Sequence, residues 1–389
     1  MRDQQKYFPV NWMDGMKINK NHFISQDDAW KDALQTVASV GLSPLRYGVL
    51  PASAAAEETY KIKTTLDNQG TLRVAVLACQ AITSGGARIS IPSLAVSGMP
   101  DTDGVPAISF SFSAAGGETT WWIVLLINPF EKQPAGSPDL SENPPRYPNV
   151  LPLYTTLVVS ESQYRQYDNH PYALPLGKIT VNGNEIRVDE EYIPPCISIS
   201  AHPDLVALYT ELDQFFGNLE TRCSQIVQKI YKKSQQNDIS DLVMFLCDRM
   251  MLFLGQAITN MRWSMIHESP AALFSSMASL ARVMKNSIDL RIGSGKEELI
   301  NYLCEWCELK QGELESMLSN LANMRFDNKD VNKNIEKVVF FAKVTAKLFE
   351  TLSKLEFIGK RRDSGIFVKE EKDYDTETPQ AKARRRFFG

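Results

Sequence analysis

The stretch Tyr192-Ile-Pro-Pro-Cys-Ile197 marks the point at which the chain changes character. Its two consecutive prolines favour a stiff, extended connector. Of the 20 prolines in the 389 residues, all but Pro270 and Pro379 lie at or before position 203. Because proline is tolerated at turns and strand edges but interrupts helix interiors, this asymmetry predicts a β-rich part before the connector and a helical part after it.

The segments before the connector alternate between short strand-like stretches and turn signals. Trp121 to Ile127 and Leu153 to Ser160 favour strands, and Asn182-Gly183-Asn184 is a strong hairpin signal. The spacing of these short strands predicts a β-sandwich. A strand-like segment, Tyr7 to Trp12, comes first, and a short helix from Ser25 to Gly41 follows it. One face of that helix carries Ala29, Trp30, Ala33, Leu34, Val37 and Val40.

Five long helical patterns follow the connector. In the first, apolar residues recur by threes, fours and sevens, and the second, from about Ile239 to His267, is apolar on more than one face. The third begins at Ser269-Pro270, a cap followed by proline at the first helical position. The fourth runs from Leu299 to Leu321 and the fifth from Val331 to Leu355. These patterns predict a four-helix bundle with one extra helix, and their spacing also suits packing between identical chains.

The fold class predicted from these patterns is α+β, in four parts. Residues 1–198 form a β-sandwich, residues 199–325 a helical bundle and residues 326–359 a C-terminal helix. Residues 360–389 form a flexible charged tail, because no apolar periodicity survives there. The tail ends in cations beside two aromatics: Lys382, Arg384, Arg385, Arg386, Phe387 and Phe388. It is either a solvated end or a handle for nucleic acid, an acidic membrane surface or an acidic protein groove, and the two aromatics favour a protein partner.

Composition and charge argue against several classes of protein. Hydrophobic residues make up 43% and charged residues 23% of the chain, as in folded soluble proteins, and the net charge of -4 disfavours nucleic-acid binding. The N-terminus lacks the apolar core of a signal peptide, and the apolar run from Trp121 to Ile127 is too short to span a membrane. Six cysteines in so long a chain favour a reducing compartment. The expected location is therefore the cytoplasm.

No pattern of catalytic or metal-binding residues stands out in the sequence. Ile292-Gly-Ser-Gly-Lys-Glu297 resembles a phosphate-binding loop but lacks its first glycine, its Ser/Thr and a preceding strand. Cys304 and Cys307 form a lone C-x-x-C within a helical pattern, which favours buried thiols over a metal or redox site. The sequence therefore predicts no catalytic, cofactor-binding or metal-binding residue, and a protein that is not an enzyme.

The segment from Val10 to Asp27 resembles the opening of the TssK family, the baseplate subunit of the bacterial type VI secretion system. A second stretch, Glu191-Tyr-Ile-Pro-Pro195, resembles the close of that family's first domain. The residues that carry the resemblance are candidates for an interface: Trp12, Asp14, Gly15, Met16, His22, Phe23, Gln26, Asp27, Pro194 and Pro195.

The resemblance implies a structural role. It implies a homotrimer whose chains each have three parts: a β-sandwich shoulder, a helical neck and a C-terminal head. The shoulder is similar to that of phage receptor-binding proteins and binds the baseplate wedge. After Met324 this chain has only one helical pattern and a tail, so it resembles a divergent lineage with a reduced head. The implied function is that of an adaptor at the baseplate near the inner membrane, which links the wedge subunits to the envelope-anchoring complex through its C-terminal region.

Two questions stay open at the level of sequence. Trp12, Met16 and Phe23 are either core residues or part of a binding surface, while Asp14-Gly15 suits a tight turn and His22 a structural histidine. A phage-tail-like receptor-binding protein with the same shoulder is the alternative function, and an enzyme with an unrecognised site is a third. Glycan recognition would need exposed aromatics, whereas Trp121-Trp122 lies in a strand and is expected to be buried.

Overall fold

The computed structural model describes residues 6–54, 58–91, 106–112, 118–168, 170–183, 185–359 and 386–387. The chain divides into two compact units. The sheet unit comprises Met1–His202 together with Asp327–Val331, and the helical unit comprises Pro203–Phe326 together with Asn332–Gly389. The α+β class predicted from the proline distribution is confirmed, because the strands lie before Pro203 and the long bundle helices after it.

The described residues of the sheet unit form two antiparallel sheets. The first sheet has five strands: β1 Gly48–Val49, β2 Tyr60–Leu66, β3 Thr71–Ile82, β4 Arg88–Ile91 and β5 Ala107–Ser111. Strand β3 is central and pairs with each of the other four. The second has the strand order β7-β6-β8-β9, with β6 Glu118–Ala135, β7 Asn149–Ser160, β8 Ala173–Asn182 and β9 Glu185–Val188. The predicted hairpin joins β8 to β9, which pair Asn182 with Glu185.

Alternation of apolar residues along the strands explains why the two sheets pack face to face. In β3, Leu72, Val74 and Val76 are all buried, and they share one core cluster with Ile123 and Leu125 of β6. The predicted β-sandwich is therefore present. The opposite face of β6 buries Trp122 in a second, smaller cluster, so the prediction that this tryptophan is buried is confirmed.

Among the residues that the structure describes, the α-helices of the sheet unit are α1 Lys20–Val40 and the short α2 Glu161–Tyr164. The helical unit contains α3 Pro203–Lys232, α4 Asp238–Trp263, α5 Pro270–Asp289, α6 Lys296–Cys307, α7 Gln311–Ala322 and α8 Val331–Lys354. The apolar residues predicted to recur along α3 and α5 form the buried faces of these two helices. Pro270 lies in the first turn of α5, as predicted. Burial of such faces, rather than intrinsic propensity, supplies most of the stability of helices in a bundle.

Three sequence-based expectations about local structure are wrong. The fourth helical pattern is two helices, because Glu308 adopts a left-handed backbone with φ of 58°. A new helix starts at Gln311, where the N–H of Lys310 donates to Glu313 Oε2 at 2.9 Å. The segment Tyr7 to Trp12 forms no regular strand. Helix α1 begins at Lys20, capped by Asn19, rather than at Ser25, although it ends at Gly41 as predicted.

Candidate interaction surface

Helix α1 packs against the rest of the sheet unit through its polar side. Asp28, Asp32 and Gln35 are buried, with exposed fractions of 8%, 3% and 7%. Lys132 Nζ lies 3.5 Å from Asp28 Oδ1 and 3.4 Å from Asp27 Oδ2. The backbone N–H of Lys6 donates to Asp32 Oδ2 at 3.2 Å. Charged and hydrogen-bonded contacts therefore hold this helix, where a surface helix ordinarily uses apolar ones.

Two further contacts fix α1 against the end of β6 and the β3–β4 turn. Lys31 Nζ donates to the carbonyl oxygen of Pro129 at 3.3 Å. Burial, with Lys132 as the second cause, lowers the pKa of the Lys31 ammonium. At Gly86, an added Cβ would lie 2.4 Å from the carbonyl oxygen of Gln35, so this glycine lets the β3–β4 turn approach the helix backbone.

The apolar side of α1 points to solvent. Trp30, Leu34 and Val37 have exposed fractions of 63%, 67% and 73%, and Phe23, two turns before Trp30 on the same face, has 58%. These four side chains form the α1 apolar face. Of the residues predicted to share an apolar face, only Ala29 is buried in this chain. Contiguous exposed apolar surface of this kind marks interaction sites in soluble proteins.

The family-motif residues extend this surface. Trp12 is 46% exposed, and its ring centroid lies 6.2 Å from that of Phe23 and 6.1 Å from that of His22. The backbone N–H of Val10 donates to Gln26 Oε1 at 3.1 Å, which holds the N-terminal segment along α1. Trp12 and Phe23 are therefore exposed side chains of this chain and not core residues.

The remaining motif residues near the N-terminus have local structural roles. Asp14 and Gly15 form the predicted tight turn, in which the N–H of Met16 donates to the carbonyl of Met13 at 3.2 Å and Gly15 has φ of 76°. His22 Nδ1 accepts a hydrogen bond from the N–H of Asn19 at 3.3 Å and so completes the helix cap.

Pro194 and Pro195, the other two motif candidates, are buried within the sheet unit. The carbonyl oxygen of Pro195 accepts a hydrogen bond from the N–H of Val49 at 2.7 Å. Gly48 has φ of 121°, and an added Cβ would lie 1.9 Å from that same carbonyl oxygen. Pro195 therefore holds strand β1 in place, and neither proline contributes to the exposed surface around α1.

Of the six residues predicted to bind a partner through the tail, the structure describes only Arg386 and Phe387. Lys382, Arg384, Arg385 and Phe388 lie outside the described residues. Arg386 is exposed, whereas Phe387 is only 6% exposed, and its backbone N–H donates to both carboxylate oxygens of Glu211 at 2.9 Å. The last described aromatic of the chain therefore contacts helix α3 of its own helical unit.

The C-x-x-C pair lies within α6. Cys307 is buried and Cys304 is partly buried. Burial is the main reason why the pKa of the Cys304 thiol is raised to about 12. Burial also raises the pKa of the Cys307 thiol. A raised pKa favours the protonated thiol at neutral pH and so lowers the reactivity of both sulfur atoms as nucleophiles. Within the described ranges, no three His, Cys, Asp or Glu side chains are grouped so as to hold a metal ion.

One helix in the described part of the chain, α4, is long and apolar enough to cross a membrane by length and composition. Its buried residues include Leu242, Leu246 and Met250, which are enclosed in the helical unit. An apolar core helix of a bundle passes the same test.

Comparison with known proteins gives one family match. Residues 147–284 match the family T6SS_VasE, described as "Bacterial Type VI secretion, VC_A0110, EvfL, ImpJ, VasE". This segment runs from the β6–β7 loop into α5. None of the curated proteins matches the chain.

Three solved structures show distant similarity. "Crystal structure of TssK" is 17% identical, with 89% of this chain and 72% of that chain covered and a TM-score of 0.47. "Structure of TssK from T6SS EAEC in complex with nanobody nb18" is 15% identical, with 84% and 68% covered and a TM-score of 0.43. "The baseplate complex from the type VI secretion system" is 16% identical, with 72% and 88% covered and a TM-score of 0.41.

Proposed function

We propose, from the premise that this chain belongs to the TssK-type family of type VI secretion baseplate proteins, that it is the adaptor between the baseplate wedge and the envelope-anchoring complex. In this proposal the sheet unit binds the wedge subunits and the C-terminal region faces the anchoring complex. The protein acts in the cytoplasm, at the baseplate near the inner membrane. Its role is structural, and its exposed apolar surfaces supply interfaces rather than catalysis.

The observation that carries this proposal is the inverted orientation of α1. Its inward side is polar, with Lys132 Nζ 3.5 Å from Asp28 Oδ1 and the N–H of Lys6 donating to Asp32, so the apolar face points away from the core of this chain. Full burial of a Trp, Leu, Val or Phe side chain stabilises by about 1.5–3 kcal/mol each, and a partner that covers the face gains that energy. We assign the face to a wedge subunit, because it belongs to the sheet unit, whose family role is wedge binding.

The test compares two leucine-to-glutamate variants of the full chain. Leu34, on the α1 apolar face, is 67% exposed, and Leu140, in the β6–β7 loop, is 80% exposed. Leu34→Glu places a charge where the partner must pack, and we expect wedge binding to weaken at least about 30-fold, as for a hot spot of about 2 kcal/mol. Leu140→Glu is the matched control and should bind normally. Binding to the purified wedge subunits is measured by titration.

Three results of this comparison would contradict the assignment. Normal wedge binding by Leu34→Glu would show that the α1 apolar face is not the docking surface. Equal loss in both variants would point to a general effect of the new charge. If Leu34→Glu instead changes the sedimentation of the isolated chain, the face is an interface between copies of this chain.

The proposal includes a homotrimer, supported by two exposed apolar side chains of α4. Leu252 and Trp263 of α4 are 72% and 82% exposed and lie three turns apart on one helix face. The apolar residues of α3, by contrast, are buried within the chain itself, so they are not free to pack between copies. Sedimentation equilibrium should give a trimer for the full chain and a smaller species for Leu252→Glu, whereas a monomeric full chain at micromolar concentration would contradict the proposal.

The alternative of a glycan-binding, phage-tail-like protein gains no support from the tryptophan pair. Trp121 packs against Phe110 and Phe112 with ring centroids 5.4 and 5.3 Å away, and the Trp122 indole N–H donates to Glu161. Glycan binding by the purified chain would favour this alternative over the adaptor role.

A further inference from the structure

The turn between α5 and α6 packs directly against α4 in the helical unit. Gly295 makes this close approach possible, because it adopts φ of 103° and an added Cβ would lie 2.7 Å from Leu242 Cδ1 on α4. The carbonyl oxygen of Arg291 accepts hydrogen bonds from the N–H of Ser294 at 2.9 Å and from that of Lys296 at 3.0 Å. The backbone of the turn is therefore held in one shape, and it carries Arg291 to the side of α4.

Two arginines share the ring of one phenylalanine at this place. The guanidinium carbon Cζ of Arg291 lies 4.1 Å from the centroid of the Phe245 ring on α4. That of Arg249, one turn further along α4, lies 5.1 Å from the same centroid. The π electrons of an aromatic ring attract a guanidinium, and the N–H donors at the edge of that planar group remain available to other partners. The ring therefore orients two cations and leaves their hydrogen-bonding edges open.

Neither arginine is paired with an acid in the part of the chain that the structure describes. Arg262, near the other end of α4, shows the contrast, since its Nε lies 3.0 Å from Asp213 Oδ1. Arg249 and Arg291 form no such ion pair among the described residues, and Arg291 Nε is buried there without a hydrogen-bond partner. A desolvated donor of a charged group is costly, and two neighbouring like charges repel each other. A carboxylate from outside the chain would offset both costs.

Exposed apolar side chains lie on both sides of Arg291 in the turn. Leu290 and Ile292 have exposed fractions of 69% and 71%. Arginine and aromatic side chains at the centre of an exposed apolar surface are typical of the residues that contribute most to protein–protein binding. Because the ring of Phe245 already orients the two guanidinium groups, less side-chain entropy is lost when a partner binds them. These features indicate a protein interface.

The chemistry of the groups favours one class of partner. Binding to an anionic membrane ordinarily uses clusters of about four to eight Lys or Arg, and only two lie here. Nucleic acids stack their bases on open aromatic faces, whereas Arg291 already lies against Phe245. A planar guanidinium is matched best by a carboxylate, which it binds through two parallel hydrogen bonds. Two discrete carboxylates therefore fit this pair of cations.

We propose that Phe245, Arg249, Leu290, Arg291 and Ile292 form an arginine surface that binds an acidic segment of a partner protein. Each arginine holds one carboxylate of that segment, and Leu290 and Ile292 contact apolar side chains beside the two acids. Opposite charges steer the segment to the surface, and the geometry of the two guanidinium groups selects it.

This inference does not rest on the baseplate role and is tested on the isolated full chain. The probe is a fluorescein-labelled helical peptide in which two glutamates four residues apart share one helix face with leucines. The reference peptide has glutamine in place of both glutamates, and binding is followed by fluorescence anisotropy. We expect the wild-type chain to bind the acidic probe at least about tenfold more tightly than the reference peptide. Equal affinity for the two peptides, or no binding of either, would overturn the proposal.

Variants of the chain separate the two arginines from a general effect of charge. Arg249→Gln and Arg291→Gln should each weaken binding of the acidic probe at least about tenfold. Arg262→Gln, in the same helix but already paired with Asp213, is the matched control and should leave binding unchanged. Arg291→Lys keeps the charge but loses the planar fork, so it should also weaken binding. If Arg291→Lys binds as the wild type does, or if Arg262→Gln loses as much as Arg249→Gln, recognition by these two guanidinium groups is refuted.

Two further measurements distinguish other occupants of the arginine surface. Vesicles of phosphatidylcholine with and without phosphatidylglycerol test a membrane. If Arg249 and Arg291 are needed for binding to the anionic vesicles while the acidic probe is not bound, the surface serves a membrane and the proposal is wrong. Sedimentation of the isolated chain tests a second copy, and a smaller species for Arg249→Gln than for the wild type would show that the occupant is another copy of this chain rather than a partner protein.

Discussion

Replacing Asp330 with alanine removes a buried partner of Lys178 within the sheet unit. Lys178 Nζ lies 2.7 Å from Asp330 Oδ2, and the two side chains are 17% and 2% exposed. Loss of one member of a buried ion pair costs about 3–5 kcal/mol, because the other charge stays desolvated. Lys178 retains some access to water, so we expect the lower end, about 3 kcal/mol, which corresponds to about 150-fold in the opening equilibrium.

Hydrogen exchange of the β8 amides is the appropriate assay, since two units need not unfold in one transition and a single unfolding curve would mix them. The matched control is Asp168→Ala. Asp168 Oδ1 lies 2.5 Å from Lys329 Nζ, but the side chains are 38% and 29% exposed, and such surface pairs contribute about 0–1 kcal/mol. We expect β8 exchange to accelerate about 150-fold in Asp330→Ala and less than about fivefold in Asp168→Ala.

Equal acceleration in the two variants would refute the reasoning that burial decides the cost. A second comparison separates lost attraction from a stranded charge. Combining Lys178→Met with Asp330→Leu removes both charges, and we expect it to restore most of the protection lost in Asp330→Ala, because buried ion pairs can be replaced by apolar residues at little cost. Failure of that double variant to recover protection would mean that Asp330 acts through its other contacts.

Three further predictions concern different parts of the chain. Gly48→Ala should destabilise the sheet unit by more than about 2 kcal/mol, measured by hydrogen exchange of the β3 amides, because its Cβ would overlap Pro195, while Gly312→Ala in α7, with nothing within 4 Å, should leave exchange in α7 unaccelerated. Hydrogen bonds from Lys285 and Lys296 lower the pKa of Asp289, so its contribution to stability exists above the unfolded-state pKa of about 3.9 and is lost as pH falls through the lower folded pKa. The difference in unfolding free energy between wild type and Asp289→Asn should therefore shrink as the pH falls below the unfolded-state pKa. Deleting residues 379–389 should leave trimerisation and wedge binding intact but abolish secretion in cells, if the tail connects the protein to the envelope-anchoring complex. Normal secretion by the shortened chain would refute that role.

Local chemistry made several features of this protein predictable. The proline distribution separates strands from bundle helices, because a missing N–H and a fixed φ act on each residue's own backbone. The turn at Asp14-Gly15, the hairpin at Asn182 and the stop at Gly41 follow from the same kind of short-range preference. The family resemblance of the opening segment stays a prediction, because the family match covers residues 147–284, and the exposure of the aromatics in that segment was not visible in the sequence.

Long-range packing decided the rest. Periodicity shows that α1 has an apolar face, but it does not show whether the chain itself or a partner covers that face; the polar contacts of Asp28 and Asp32 turn it outwards. The pairing of Lys178 with Asp330 and of Glu211 with Phe387 joins residues far apart in sequence, and no local pattern encodes either pair. Such contacts arise only when folded elements bring distant groups together and exclude water from between them, which is why tertiary structure was needed to locate them.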